Sequence, residues 1–257
     1  MKVIILAGGW GTRLGQLTNV IPKPMVKIGG KPVLWHIMKT YSYYGFNEFI
    51  ITLGVKAEVI KDYFYNYEIL NNDFTINMND KSIKFHNNHD ESNWEITLVD
   101  TGLNTLKGGR VKRVERYLED DTNMLTYGDG VADLDINALL KFHKSHGKTI
   151  TITGVHPPAR FGELIESEGR VQIFEEKPQT STGLINGGYM VFNRKLLQYL
   201  TPHEDCDLEH GPMEELASEG EVMVYKHEGN WECMDHERDV KHLNKVWDEG
   251  KAFWKIW

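Results

Sequence analysis

Residues 1–47 contain no aspartate or glutamate, yet hold Lys2, Arg13, Lys23, Lys27, Lys31 and Lys39. The chain as a whole is acidic, with a net charge of −8 from 29 basic and 37 acidic side chains. An acidic total argues against a surface built for nucleic acid, and one acid-free basic stretch points instead to a small polyanion bound near the N-terminus. Cysteine is also scarce. Cys206 and Cys233 match no metal-ligand spacing and offer no disulfide framework, so both read as ordinary thiols. No apolar run approaches the roughly 20 residues of a membrane helix. The opening Met1 to Ala7 breaks into glycines too early for a signal peptide, so a cytoplasmic protein is expected. With no internal repeat or low-complexity linker, the 257 residues are expected to form a single domain, 1–257, whose 40% hydrophobic content supports one core.

Val3 to Leu6 is a β-branched apolar run that stops at Gly8-Gly9, the pattern of a buried parallel strand entering a loop. A helix from Pro32 to Tyr44 and a strand from Phe49 to Leu53 follow, which begins an α/β sheet. Further strands are predicted near Ile96–Asp100, Met124–Tyr127, Ile150–Val155 and Met190–Asn193, with helices near Val55–Tyr65, Ile136–His146 and Pro212–Glu219. The fold class expected is α/β with a mixed central sheet. The Asn-rich stretch over about 71–95 alternates weakly around Asn79-Asp80 and predicts a β-hairpin excursion. Trp247, Phe253, Trp254 and Trp257 fall on a C-terminal helix and tail over about 236–257, packed on the core or on a neighbouring subunit.

Gly8-Gly9-Trp10-Gly11-Thr12-Arg13 directly follows the first strand. Glycines there let backbone N–H groups approach a phosphate chain, and a fixed arginine can neutralise a leaving group. Half of a dinucleotide-binding fingerprint is present in Gly9-x-Gly11, but an acid to hold the ribose is needed about 20 residues on. The corresponding stretch instead holds Pro22-Lys23-Pro24, two rigid residues that fix one lysine in a cationic loop. Asp129 lies between glycines after an apolar run, which leaves its carboxylate open for Mg2+; an ordinary turn aspartate has the same look. His143 and His146 sit three apart on a predicted helix, without an evident third ligand, and read as a solvated face.

The glycine-rich segment ending in Gly-Thr-Arg, followed by Pro-Lys-Pro, resembles the signature of the sugar-nucleotide pyrophosphorylase family of nucleotidyltransferases. The resemblance continues in order through Val99-Asp100-Thr101-Gly102, Gly108-Gly109-Arg110, Thr126-Tyr127-Gly128-Asp129-Gly130, Glu176-Lys177-Pro178, Asn186-Gly187-Gly188 and Met234-Asp235. With Phe142-His143-Lys144 and the ending Gly250-Lys251-Ala252-Phe253-Trp254-Lys255, it is most similar to the branch of that family that takes CTP and glucose 1-phosphate. One departure stands out. Trp231-Glu232-Cys233-Met234-Asp235-His236 lacks the proline before methionine and the threonine after aspartate that the family pattern has, which leaves the shape of that loop open.

The resemblance implies a Rossmann-like sheet flanked by helices, Mg2+ as cofactor and a homo-oligomer, a hexamer in that branch, making CDP-glucose for surface polysaccharide. It implies Asp129 and Asp235 as metal ligands, and Arg13, Lys23, Asp129, Lys177 and Asp235 as the catalytic set. Leu6, Ala7, Gly8, Gly9, Gly11, Thr12, Arg13, Lys23, Thr105, Gly109, Arg110, Gly128 and Asp129 would bind nucleotide. Gly162, Glu176, Lys177, Asn186, Gly187 and Trp231 would hold the sugar phosphate. A uridylyl- or thymidylyltransferase is the alternative within this chemistry, and a nucleotide-sensing protein without turnover is the alternative outside it.

Overall fold

A computed structural model describes residues 1–87, 89–157, 163–167, 170–175 and 183–257. Seven strands form the central sheet: β1 (Val3–Leu6), β2 (Glu48–Leu53), β3 (Glu95–Asp100), β4 (Thr122–Tyr127), β5 (Ile150–Val155), β6 (Ile185–Asn193) and β7 (Val222–His227). Their order is β7-β5-β6-β4-β1-β2-β3. All neighbours run parallel except β6, which is antiparallel to β4 and to β5, so the sheet is mixed as expected. The hairpin excursion is also present, with Phe74–Ile76 paired to Ile83–Phe85.

Both faces of the sheet are covered, which is why the inner strands read as continuous apolar runs. On one face Val3, Ile5, Phe49 and Ile51 meet helices α1 (Val33–Tyr43), α2 (Ala57–Tyr65) and α4 (Ile136–His146). On the other, Ile4, Ile50 and Leu125 meet α3 (Lys107–Arg113) and α5 (Glu214–Ser218). The two clusters alternate residue by residue along β1, as the period of a strand requires. Helix α6 (Glu237–Asp248) and the tail behind it close the first face, burying Leu243 and Trp254 completely.

Several expectations change. Strand β7, at the edge of the sheet, was not predicted, although Val222 to Tyr225 is a short apolar run. His143 is not on a solvated face: it is buried, with Nδ1 at 2.9 Å from Thr151 Oγ1 and Nε2 at 3.0 Å from Asn193 Oδ1. Gly109, expected among the nucleotide-binding residues, and Gly108 serve packing. They sit inside α3, where an added Cβ would lie 2.5 Å from Asp207 O and 2.4 Å from His203 O, so they allow close approach of the 203–207 segment.

The C-terminal tail docks on a fully buried histidine. Nε2 of His36 is 2.8 Å from Ile28 O, and its Nδ1 accepts from the indole of Trp254 at 3.3 Å, so these partners suit a neutral ring. Trp35, Trp247 and Trp254 enclose it edge-on. Burial, reinforced by the nearby charges of Lys255 and Lys31, pushes the imidazole down to about 4 from 6.5. The unfolded chain therefore takes up this proton first as pH falls. The stabilisation is complete above pH 6.5 and lost progressively towards pH 4, up to about 3 kcal/mol. Urea unfolding at stepped pH should show this slope, and His36→Asn should flatten it; an equal slope in the variant would contradict the assignment.

Candidate active site

The chemistry-bearing residues gather at the carboxyl ends of β1 and β4, the end of a parallel sheet where loops converge and ligands bind. The first loop runs from Ala7 to Gly11, and its glycines have different physical reasons. Gly11 adopts φ +64°, a left-handed backbone that disfavours a side chain, and a Cβ there would also lie 3.0 Å from Lys23 Cβ. Gly8 leaves room for Arg110, whose Nη1 would lie 2.2 Å from an added Cβ.

Arg110 is buried, and its two terminal nitrogens reach five acceptors. Nη1 donates to Leu53 O at 2.9 Å, Thr101 Oγ1 at 2.8 Å and Gly102 O at 2.8 Å, while Nη2 donates to Gly8 O at 2.9 Å and Leu103 O at 3.2 Å. It thus ties the glycine loop to the ends of β2 and β3. Expected as a nucleotide contact, Arg110 does line the nucleotide-sized cleft, but its fork is committed to shaping the walls.

That cleft has a volume of about 400 Å3. Leu6, Ala7, Gly8, Gly9 and Gly11 line one side, Thr105 and Arg110 another, and Lys23, Gly128 and Asp129 its floor. Each of these was named from sequence. Trp10, Lys107 and Tyr127 also line it and were not. A second cleft of about 200 Å3 lies alongside, lined by Asn186, Gly187 and Trp231, which the resemblance assigns to the sugar phosphate, together with Tyr189 and Cys233. The two share Tyr127 and Asp129. In β6 the register against β5 slips between Met190 and Asn186, a bulge of the kind that re-aims residues beside active sites. Trp231 is fixed there by its indole N–H, which donates to Gly187 O at 2.8 Å.

Lys23 stands at the junction. Pro22 and Pro24 hold a single tight turn, closed by Met25 N–H to Pro22 O at 2.8 Å, and the lysine side chain is almost fully buried. Its ammonium lies 2.5 Å from Asp129 Oδ2 and 2.6 Å from Asp235 Oδ1. Burial alone would lower the Lys23 ammonium, but the charge and hydrogen bonds of the two carboxylates raise it above its ordinary value. Burial works to raise Asp235, yet Lys23, with Arg13, holds it below its ordinary range. Arg13 is largely exposed and donates from Nη1 to Asp235 Oδ2 at 2.6 Å. It therefore belongs to the carboxylate cluster and not to the wall of the larger cleft.

Asp129 and Asp235 meet because of a small two-stranded ribbon, Gly130–Ala132 paired with Trp231–Cys233, in which Cys233 lies opposite Gly130. Met234 N–H donates to Asp129 O at 2.9 Å, and the methionine side chain is fully buried. Past it, the backbone N–H groups of Asp235 and His236 both donate to Asp239 Oδ2, at 3.0 and 2.7 Å, which joins the loop to the first turn of α6. The departure in the Trp231–His236 loop thus leaves its aspartate beside Asp129. It also brings Cys233 there, so the thiol read as ordinary from sequence is part of the site. Asp129, Cys233 and Asp235 each offer an atom within 4.8 Å of the others, the one such metal-capable group among the described residues. Burial, then the charge of Asp129, raises the Cys233 thiol and keeps it protonated. Thr12 and Gly109 line neither cleft. Gly162, Glu176 and Lys177 lie outside the described residues.

Comparison with known proteins agrees with this geometry. The chain matches the family model described as nucleotidyl transferase over residues 2–248. It is 49% identical to a glucose-1-phosphate cytidylyltransferase of Salmonella typhi and 42% identical to a probable glucose-1-phosphate cytidylyltransferase of Bacillus subtilis, covering 100% of both chains in each case. Among solved structures, HddC from Yersinia pseudotuberculosis is 25% identical with a TM-score of 0.68, over 96% of this chain and 99% of that one. A UDP-glucose pyrophosphorylase complexed with UDP-glucose is 15% identical with a TM-score of 0.68, over 97% of this chain and 98% of that one, a likeness of fold. No helix among the described residues is long and apolar enough to cross a membrane. A sheet that ends in a glycine loop, a paired lysine and two converging carboxylates, with this match along nearly its whole length, belongs to the nucleotidyl transferase family.

Proposed function

We propose that the protein transfers a cytidylyl group from CTP to α-D-glucose 1-phosphate, giving CDP-glucose and pyrophosphate. The observation that carries the reading is the pair of adjoining clefts that meet at Asp129, where a cation already sits between two carboxylates. The full-length identity to glucose-1-phosphate cytidylyltransferases supplies the base and the sugar.

In this reading the larger cleft takes CTP and the smaller takes the sugar phosphate. A phosphate oxygen of glucose 1-phosphate attacks the α-phosphorus, and the bond from that phosphorus to the bridging oxygen of pyrophosphate breaks. No protein nucleophile is needed, so the work is alignment and neutralisation of charge. Asp129 and Asp235 would hold Mg2+, a hard cation that takes one or two carboxylates together with phosphate oxygens. The donor set fits, since the same two carboxylates accept the Lys23 ammonium. Bound there, the ion would offset negative charge on the triphosphate. Lys23 serves the reacting phosphate and Arg13 the departing pyrophosphate, while Lys177 holds the sugar phosphate, with Glu176, Gly162, Asn186 and Gly187 around the sugar. Trp231, fixed against Gly187, covers the sugar face. The exposed rings of Phe74 and Phe85 on the hairpin support the homo-oligomer that the resemblance implies, and the protein is read as cytoplasmic.

Pyrophosphate release with CTP, UTP and dTTP, each against glucose 1-phosphate, tests the function. A site built for cytosine leaves polar groups unpaired when uracil enters, at about 1–3 kcal/mol per group. CTP should therefore exceed UTP and dTTP by about tenfold or more in kcat/KM. A preference for UTP or dTTP would make the protein a uridylyl- or thymidylyltransferase, and no release with any of them would favour a nucleotide-sensing protein.

Asp129→Asn should abolish turnover and reduce the stabilisation by Mg2+ seen in thermal unfolding, leaving the circular dichroism spectrum intact. Wild-type turnover persisting in EDTA would remove the metal from the mechanism.

A further inference from the structure

Among the described residues Tyr127 is the one side chain besides Asp129 that lines both clefts, and its hydroxyl is not free to meet a ligand on its own. It donates to Glu209 Oε1 and accepts from Asn186 Nδ2 at 3.1 Å. The other oxygen of Glu209, Oε2, lies 2.7 Å from Lys107 Nζ, and that ammonium stands 5.6 Å from the centre of the Tyr127 ring. Lys107 lines the larger cleft and Asn186 the smaller. A continuous chain of contacts, Lys107 to Glu209 to Tyr127 to Asn186, thus runs from one substrate cleft to the other. Burial, followed by the charge of Glu209, raises the Tyr127 phenol and keeps it a donor. Glu209 opens a wide turn, Glu209–Met213, closed by Met213 N–H to Leu208 O at 3.2 Å, in which the backbone of His210 and Gly211 is not helical.

We infer that Glu209 is a positioning residue that couples the two substrate sites, so that filling the nucleotide cleft raises affinity in the sugar-phosphate cleft and the reverse. The inference rests on the reading that these clefts take CTP and glucose 1-phosphate. A nucleotide that settles against Lys107 and the ring of Tyr127 fixes Glu209, which in turn holds the Tyr127 hydroxyl and Asn186 in one arrangement. The sugar phosphate then meets a pre-ordered amide and loses less affinity to ordering. By reciprocity the same factor applies to nucleotide binding after sugar phosphate.

Calorimetric titration provides the test, with α,β-methylene-CTP, whose carbon bridge prevents transfer, and glucose 1-phosphate, each titrated alone and into protein saturated with the other. Wild type should show a coupling factor of about 5 or more, the lower end of typical site–site coupling. Glu209→Gln keeps an acceptor for Tyr127 but loses the ion pair with Lys107; Tyr127→Phe cuts the chain at its centre. In both, the factor should fall towards 1, a change that a merely structural role would not produce in a ratio of affinities. Thermal unfolding checks that each variant is folded, and if one is not, the other still decides. Independent binding in wild type, or undiminished coupling in a folded variant, would overturn the inference. Failure of wild type to bind either ligand would instead count against the proposed function.

Discussion

The site depends on one buried cation between two carboxylates. Asp129 leaves β4 and Asp235 leaves the small ribbon, and without a positive charge between them they would repel at close range in a poorly hydrated place. Lys23 provides that charge from a turn that its flanking prolines keep rigid. Its short contacts to both acids account for the directions of the shifts at Lys23 and Asp235, and for the position of Arg13 on the outer side of Asp235. Of this cluster Lys23 lines the larger cleft, Asp235 the smaller and Asp129 both, so the same interaction shapes each substrate site.

Around it, rigidity comes from backbone groups that side chains have claimed. Arg110 gathers the carbonyls of Gly8, Leu53, Gly102 and Leu103, so the glycine loop is held open by a buried fork and not by its own hydrogen bonds. The carbonyls of Gly8 and Leu53 also accept from the N–H groups of Val55 and Thr101, so the arginine adds a second bond to each and joins them to Gly102 and Leu103. The tail performs a comparable role on the far face, where Trp254 and a neutral His36 close the core behind α1.

The parts of the fold that were legible in the sequence are those whose signal is local. The inner strands β1, β2 and β4 are short β-branched runs, and α4 is bounded by Asp135, whose side chain accepts from Ala138 N–H, and by Gly147 at φ +66°. Asp129 was legible for the same reason, since glycines flank it after an apolar run. Asp235 was not readable from its neighbours; it was named through resemblance, because its place is set by ribbon pairing between segments far apart in the chain. The place of Cys233 beside the two carboxylates was not legible for the same reason. Glu209 has no sequence signal, and Tyr127 stood within the Thr126–Gly130 motif without a role: a glutamate before His-Gly-Pro and a tyrosine at the end of a strand acquire this meaning only when α3 and the wide turn bring Lys107 beside them. Arg110, expected as a nucleotide contact, lines the larger cleft, but what its donors hold depends on tertiary packing.

Thermal unfolding of Lys23→Met, with and without Mg2+, tests the central claim most directly. Methionine keeps much of the buried volume and removes the charge, leaving Asp129 uncompensated and Asp235 paired only with the exposed Arg13. Loss of one partner from a buried ion pair costs about 3 kcal/mol or more, or roughly 6 °C for a chain of this size. The variant should therefore melt at least that much lower than wild type in EDTA, and Mg2+ should raise its midpoint by more than it raises that of wild type. An unchanged midpoint in EDTA, together with the same response to Mg2+ in both proteins, would contradict the claim that Lys23 holds the two carboxylates together.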